Sequence, residues 1–174
     1  YIHCPDLGTS PFRNPNAVVN VKDSEVKFDL VQIYGYKEIK DYNPNMHFGI
    51  DASNAMITAN RCSIFGIQKS AIKAKGGSLD IYSLGINSRT IADERTPFGL
   101  IIDDVGAVTC TKLFCRKGNV ETLFQVNATY PGTRETIISI KESKLGDVQI
   151  DSGRKGSYRI VMDAQTKKYY DYTQ

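Results

Sequence analysis

Tryptophan is absent from this chain of 174 residues and histidine occurs only twice. No apolar run approaches the length of a membrane span. Helical period is missing too, because no long segment repeats its apolar residues every three or four positions. Each absence removes a class of function. His3 lies beside Cys4 in a proline-rich stretch, where adjacent side chains rarely present to each other as a nucleophile and its base. The pair therefore reads as a surface histidine next to a structural cysteine. Neither a paired Cys-x-x-Cys nor a His-Glu-x-x-His is present, so a zinc site is not expected. No Gly-x-Ser-x-Gly nucleophile elbow occurs. An excess of charge of one sign is also lacking: 22 basic and 19 acidic residues leave +3. That balance gives no electrostatic case for nucleic acid or an anionic membrane as partner.

The carboxylates offer no catalytic pair. Asp103 and Asp104 are adjacent and would face opposite sides of a strand, so a glycosidase pair across one cleft cannot be named. Asp51, Asp103, Asp104, Asp147 and Asp151 could reach calcium from loops, but none sits in a loop of alternating acidic ligands closed by Glu. They read as solvated turn carboxylates. Gly153-Arg154-Lys155-Gly156-Ser157 lacks P-loop spacing and reads as a basic turn. No metal, cofactor or catalytic residue is assigned, and the chain is not expected to be an enzyme.

What is present is apolar residues at 41% of the chain, ten tyrosines, seven phenylalanines and many short β-rich runs. The apolar share is enough for a true core. Residues 1–16 contain Pro5, Gly8, Pro11 and Pro15 and read as an extended N-terminal arm preceding an all-β domain over 17–174. Val26, Phe28 and Leu30 alternate with charged residues, then the phase slips at Val31, as a bulge would make it do. Further runs include Ala55-Met56-Ile57-Thr58, Leu79-Asp80-Ile81, Leu100-Ile101-Ile102 and Ile137-Ile138-Ser139-Ile140. Two short helices are allowed, over 68–75 and 90–95.

Short, closely spaced strands indicate a sandwich, barrel or solenoid. The favoured expectation is an antiparallel sandwich or jelly roll, with hairpins or arches at Lys117-Gly118-Asn119, Pro131-Gly132-Thr133 and Ser152-Gly153-Arg154. The alternative is a right-handed parallel β-helix. Residues 48–87 show short apolar pairs between Asn, Ser and Gly, as in Gly49-Ile50-Asp51-Ala52-Ser53-Asn54 and Cys62-Ser63-Ile64-Phe65-Gly66. This stretch resembles the coils of phage tailspikes and bacterial adhesins. Its spacing holds no fixed repeat, which places the sandwich first.

Cys4, Cys62, Cys110 and Cys115 are even in number and compatible with disulfides or with buried thiols. Cys110 and Cys115 would need a turn or bulge between them to meet. Asn127-Ala128-Thr129 is a sequon. Tyr34 and Tyr36, with Tyr169, Tyr170 and Tyr172 beside Arg154 and Lys155, form a possible binding surface, or else pack on the core. These features together point to a structural or assembly subunit of a virion or extracellular surface structure. A receptor- or glycan-binding attachment domain is the alternative, and a polysaccharide-active enzyme is a third. Self-association, or a protein or glycan surface, is the expected partnership, and an extracellular, virion or cell-surface location follows from it.

Overall fold

The computed structural model describes residues 2–3, 17–35, 47–87, 96–115, 120–127, 135–146, 148–153 and 158–166. The strands come in threes. The first coil holds β1 (Ile2–His3), β2 (Ala17–Lys22) and β3 (Glu25–Asp29). The second holds β4 (Gln32–Tyr34), β5 (Phe48–Ser53) and β6 (Met56–Asn60). The third holds β7 (Cys62–Phe65), β8 (Ser70–Lys75) and β9 (Ser78–Ile81), and the fourth β10 (Leu84–Asn87), β11 (Thr96–Asp103) and β12 (Ala107–Cys110). The fifth holds β13 (Leu113–Cys115), β14 (Val120–Asn127) and β15 (Thr136–Ile140), and the sixth β16 (Lys144–Leu145), β17 (Gln149–Gly153) and β18 (Tyr158–Met162).

Every third strand stacks on the last. Sheet A runs β1-β4-β7-β10-β13-β16, sheet B runs β2-β5-β8-β11-β14-β17 and sheet C runs β3-β6-β9-β12-β15-β18. Among the described residues every strand pairing is parallel. This is a β-helical, solenoid-like arrangement and overturns the expected sandwich or jelly roll. A parallel neighbour cannot be reached through a hairpin, so the expected hairpins are absent: Ser152 and Gly153 lie within β17, and 117–119 and 131–133 lie outside the described residues. The all-β reading stands. Residues 70–75 of the proposed helix 68–75 are strand β8, and 90–95 lie outside the described residues. Of the proposed arm, Ile2 and His3 pair with Ile33 and Tyr34, and 4–16 lie outside the described residues.

The reason the repeat escapes a fixed-period reading is in the register. Ile57 stands 22 residues before its partner Leu79 and 31 after Val26, while Leu79 stands 29 before Val108. The surplus falls between strands, as at 36–46 and 88–95, between sheets A and B. The strands themselves stay in step, since a slip of one residue would turn the apolar side chains outward.

Inward side chains form columns along the axis. Ile33, Ile64, Ile86, Cys115 and Leu145 make one column in sheet A, all nearly or fully buried. In sheet C, Ile57, Leu79, Val108 and Ile138 make another. β-Branched and aliphatic residues suit a pleated surface buried against the opposite sheets.

The turns carry a second kind of column. Asp23, Asn54 and Asp104 all have left-handed φ (48°, 50° and 53°), as do Leu30, Arg61 and Glu142 at the passage from sheet C to sheet A. The slip at Val31 is therefore a turn through Leu30 and not a bulge. Asn54 donates to Asp23 at 3.4 Å, Asn60 to Asp29 at 2.9 Å and Asn127 to Asp103 at 2.6 Å. In each case a side-chain amide reaches the carboxylate of an adjacent coil. Asx residues tolerate left-handed backbone and can make this bond, which suits them to such turns.

At the last coil the sheet B column changes character. Asp151 occupies the register position of Phe124, and the Tyr158 hydroxyl donates to its carboxylate at 2.5 Å. Asp163 accepts from the backbone N–H groups of Thr166 and Glu142 at 2.7 and 3.0 Å, which ties the helical turn at 164–166 to the preceding coil.

Two predictions follow from this packing. Gly77 has φ of +70° and a Cβ there would lie 2.0 Å from the Ala55 carbonyl oxygen. Gly77→Ala should lower stability by about 2 kcal/mol or more, measured by urea unfolding. Burial, helped by Asp151, pushes the Tyr158 hydroxyl up to about 12. A raised folded pKa means full stabilisation below about pH 10, the unfolded value, lost as pH climbs toward 12. Thermal melts of the wild type and Tyr158→Phe should therefore converge across that window.

Candidate functional site

The outer face of sheet A carries a groove. Its strands β4, β7, β10 and β13 set Gln32, Ser63, Gly85 and Phe114 in one outward column and Tyr34, Phe65 and Asn87 in a second. Inward neighbours such as Ile33, Ile64 and Ile86 anchor each strand in the core, so the alternation along the strand fixes what faces out. A groove of about 340 Å³ is lined by Leu30, Gln32, Arg61 and Ser63.

The groove has a rigid polar side. Arg61 Nη2 donates to Asp29 Oδ2 at 2.9 Å and Oδ1 at 3.0 Å, and Nε adds a longer contact to Oδ1 at 3.3 Å. Asn60 donates to the same Asp29 oxygen at 2.9 Å. The guanidinium has five N–H donors, and neither Nη1 hydrogen is committed to Asp29. Gln32 accepts the Tyr34 hydroxyl at 2.9 Å through its carbonyl oxygen, which leaves the amide nitrogen to act as donor.

The second outward column, beside the groove, is aromatic at Tyr34 and Phe65. Tyr34 and Phe65 stack with ring centroids 4.7 Å apart and planes 9° from parallel. This is the parallel-sheet counterpart of a cross-strand aromatic pair. Gly85, next along the floor, has no side chain, and a Cβ there would meet only the Ser63 hydroxyl at 3.3 Å and other atoms beyond 3.6 Å. The depression thus continues past Ser63 until Phe114, which is 38% exposed. From Gln32 to Phe114 is three strand spacings, about 14 Å. Leu30 and Tyr82, 72% and 51% exposed, stand in C-to-A turns along this edge. Leu30 holds its left-handed φ of 56° at a cost of about 1 kcal/mol or more for a branched side chain.

The face of sheet B differs. Ala17, Phe48 and Ile101 form a small cluster with Phe98 on it, yet the first three are covered to 6% exposure or less. Lys73 lies 5.1 Å from the centre of the Phe48 ring and pairs with Asp51 at 3.5 Å. That cluster is filled and packed, not open to a ligand.

Of the residues proposed from sequence as a binding surface, Tyr34 stands in the outward column beside the groove, half-buried and stacked on Phe65. Tyr36, Arg154, Lys155, Tyr169, Tyr170 and Tyr172 lie outside the described residues. Asn127 is exposed at the end of β14, with its amide on Asp103. Sequence reasoning missed Asp29, Gln32, Arg61, Ser63 and Gly85. The available signal was the pairing of Asp29-Leu30 with Asn60-Arg61 at one turn position 31 residues apart, which becomes visible only once the register is known.

Neither metal nor nucleophile chemistry finds a constellation here. Among the described residues no three His, Cys, Asp or Glu side chains gather as a metal site. Asp51 is paired with Lys73, Asp103 with Asn127 and Asp151 with Tyr158; Asp147 lies outside the described residues. Of the two readings open for the cysteines, the disulfides do not form among Cys62, Cys110 and Cys115, which are buried thiols. Cys110 ends β12 in sheet C and Cys115 ends β13 in sheet A, so the turn between them delivers both inward into different columns. Cys62 donates to the Asn60 carbonyl at 3.3 Å. Burial pushes the Cys110 and Cys115 thiols up to about 12 and raises Cys62 as well, which suppresses the thiolate needed for reactivity. Cys4 lies outside the described residues.

Comparison with family models, characterised proteins and solved structures finds no match to this chain. No helix among the described residues is long and apolar enough to cross a membrane.

The thiol arrangement is directly testable. In a Cys4→Ser variant, Cys62, Cys110 and Cys115 should be inert to a thiol-specific chromogenic reagent in native buffer. All three should react within the mixing time in denaturant.

Proposed function

We propose that this chain is a non-catalytic glycan-binding solenoid of a cell-surface or virion attachment structure, with the outer face of sheet A as its binding face. The observation that carries this reading is the character of the groove. Donors from Arg61, Gln32 and Ser63 sit together beside Leu30 at one end of the column, and Gly85 and the exposed ring of Phe114 continue it over about 14 Å. A sugar presents both kinds of surface, with hydroxyls at the ring edge and apolar C–H patches on the ring face. Ligand sites of this type combine an apolar lining with a few fixed polar groups, and the Asp29–Arg61 fork restricts the arginine before any ligand arrives, which lowers the entropy lost on binding.

A rigid scaffold also suits the task. The groove residues belong to four successive coils held by backbone ladders, so their spacing does not depend on loop order. Assembly into a surface structure is the companion reading and draws on a different face, sheet C.

A glycan array followed by calorimetry on any hit tests the proposal. Arg61→Ala should weaken binding by about tenfold or more, the size expected for a lost charge-assisted hydrogen bond. Gly85→Leu should fill the floor and abolish binding while leaving the melting temperature within a few degrees. No array signal, or binding that survives both substitutions, would sink this assignment.

A further inference from the structure

The exposed large apolar residues among those described divide between two regions. Leu30, Tyr82 and Phe114 border the sheet A groove, whereas Met56, Ile137 and Val161 stand on the outer face of sheet C at 51%, 40% and 47% exposure. The outward positions of sheet C form two columns, and the register gives the first, from one end to the other, as Glu25, Met56, Ser78, Ala107, Ile137 and Arg159. The column opens on an acid, closes on a base, places a large apolar residue second from each end, and holds small residues at its centre. The second column holds small polar residues in its middle coils: Thr58, Asp80, Thr109 and Ser139. Asp80 accepts a hydrogen bond from Thr109 within it, so this carboxylate has a partner of its own.

We infer that sheet C is a self-complementary face on which a second copy of this chain docks with its long axis reversed. A two-fold axis along the strand direction sets the first column of one copy against the first column of the other in opposite order. Glu25 then meets the second copy's arginine at position 159, Met56 meets isoleucine 137, and Ser78 meets alanine 107. Each contact occurs twice. The small central residues let the sheets approach to the usual face-to-face distance of about 10 Å. A two-fold axis along the solenoid would instead set the first column against the second, coil by coil. Met56 would then face a threonine and Ile137 a serine, which leaves apolar surface on hydroxyls. The second column runs on to Lys27 at one end and Val161 at the other, and in the reversed arrangement Val161 lies against the aliphatic stem of Lys27; the Met56–Ile137 match, made twice, selects the reversed arrangement.

The area sets the strength. Six strands of about five residues give a face of roughly 400 Å² per copy. The roughly 800 Å² total sits below the standard range for stable complexes. The dimer is weak and reversible, with a dissociation constant in the micromolar range or above, and its apolar core is Met56 and Ile137. Arg159 is held by Glu135 at 3.7 Å within its own chain while both remain about half exposed, so the guanidinium is oriented at the rim before the second copy arrives.

Sedimentation velocity of the full chain over a concentration series tests this. The expected result is a concentration-dependent dimer whose dissociation constant rises at least tenfold in Met56→Asp and in Ile137→Asp. Glu25→Arg and Arg159→Glu should each weaken it, and the doubly reversed variant Glu25→Arg/Arg159→Glu should recover most of the loss. These side chains are exposed, and circular dichroism with a thermal melt checks that each variant keeps the fold. A wild-type chain that stays monomeric into the millimolar range overturns the inference. So does a double variant weaker than either single one, because only the reversed packing brings those two positions together.

Discussion

The in-register parallel backbone ladder between successive coils is the constraint on which the rest of this structure depends. Each coil contributes only a few inward residues, too few to form a core alone. Stacking supplies the missing surface, since Ile64 is enclosed by Ile33 on one side and Ile86 on the other. Solenoid stability is accordingly a matter of nearest neighbours. The register also aligns what lies outside. The same pairing that stacks isoleucines inward stacks Tyr34 on Phe65 outward and lines up the Glu25-to-Arg159 column. Both candidate surfaces are therefore consequences of the core's geometry.

Polar groups follow the same rule at the turns. Several coils change direction through left-handed backbone, at Asp23, Asn54 and Asp104 and again at Leu30, Arg61 and Glu142. Asn54 on Asp23 joins two of these positions, and Asn60 on Asp29 and Asn127 on Asp103 make the same amide-to-carboxylate contact at strand ends. Where the turn position is instead Leu30, Arg61 or Glu142, the backbone conformation is kept without the Asx advantage. Leu30 and Arg61 line the groove on sheet A.

The carboxylates and thiols that could suggest chemistry are mostly drawn into this scaffold. Asp29 holds Arg61, Asp51 holds Lys73, and Asp151 takes the hydroxyl of Tyr158. The three described thiols serve as small apolar fillers in inward columns. The scaffold's coils allow inserted residues between strands without disturbing the strands themselves.

The sequence alone determined that the chain is all-β. Alternating short runs such as Leu79-Asp80-Ile81 have only one way to bury their apolar side, and no segment has the period of a helix. It placed turns at 117–119 and 131–133, outside the described residues, and at Ser152-Gly153, which is strand. It did not determine sandwich against solenoid, because both use the same alternation and differ only in which strand is the neighbour. Coils of 22 to 31 residues conceal the repeat that would have decided it. Only the tertiary structure could bring Asp29 to Arg61, set Gln32, Ser63 and Gly85 in one floor, or send Cys110 and Cys115 into separate columns. Those meetings depend on register across coils, and register is fixed by burial of the whole stack, not by any segment within it.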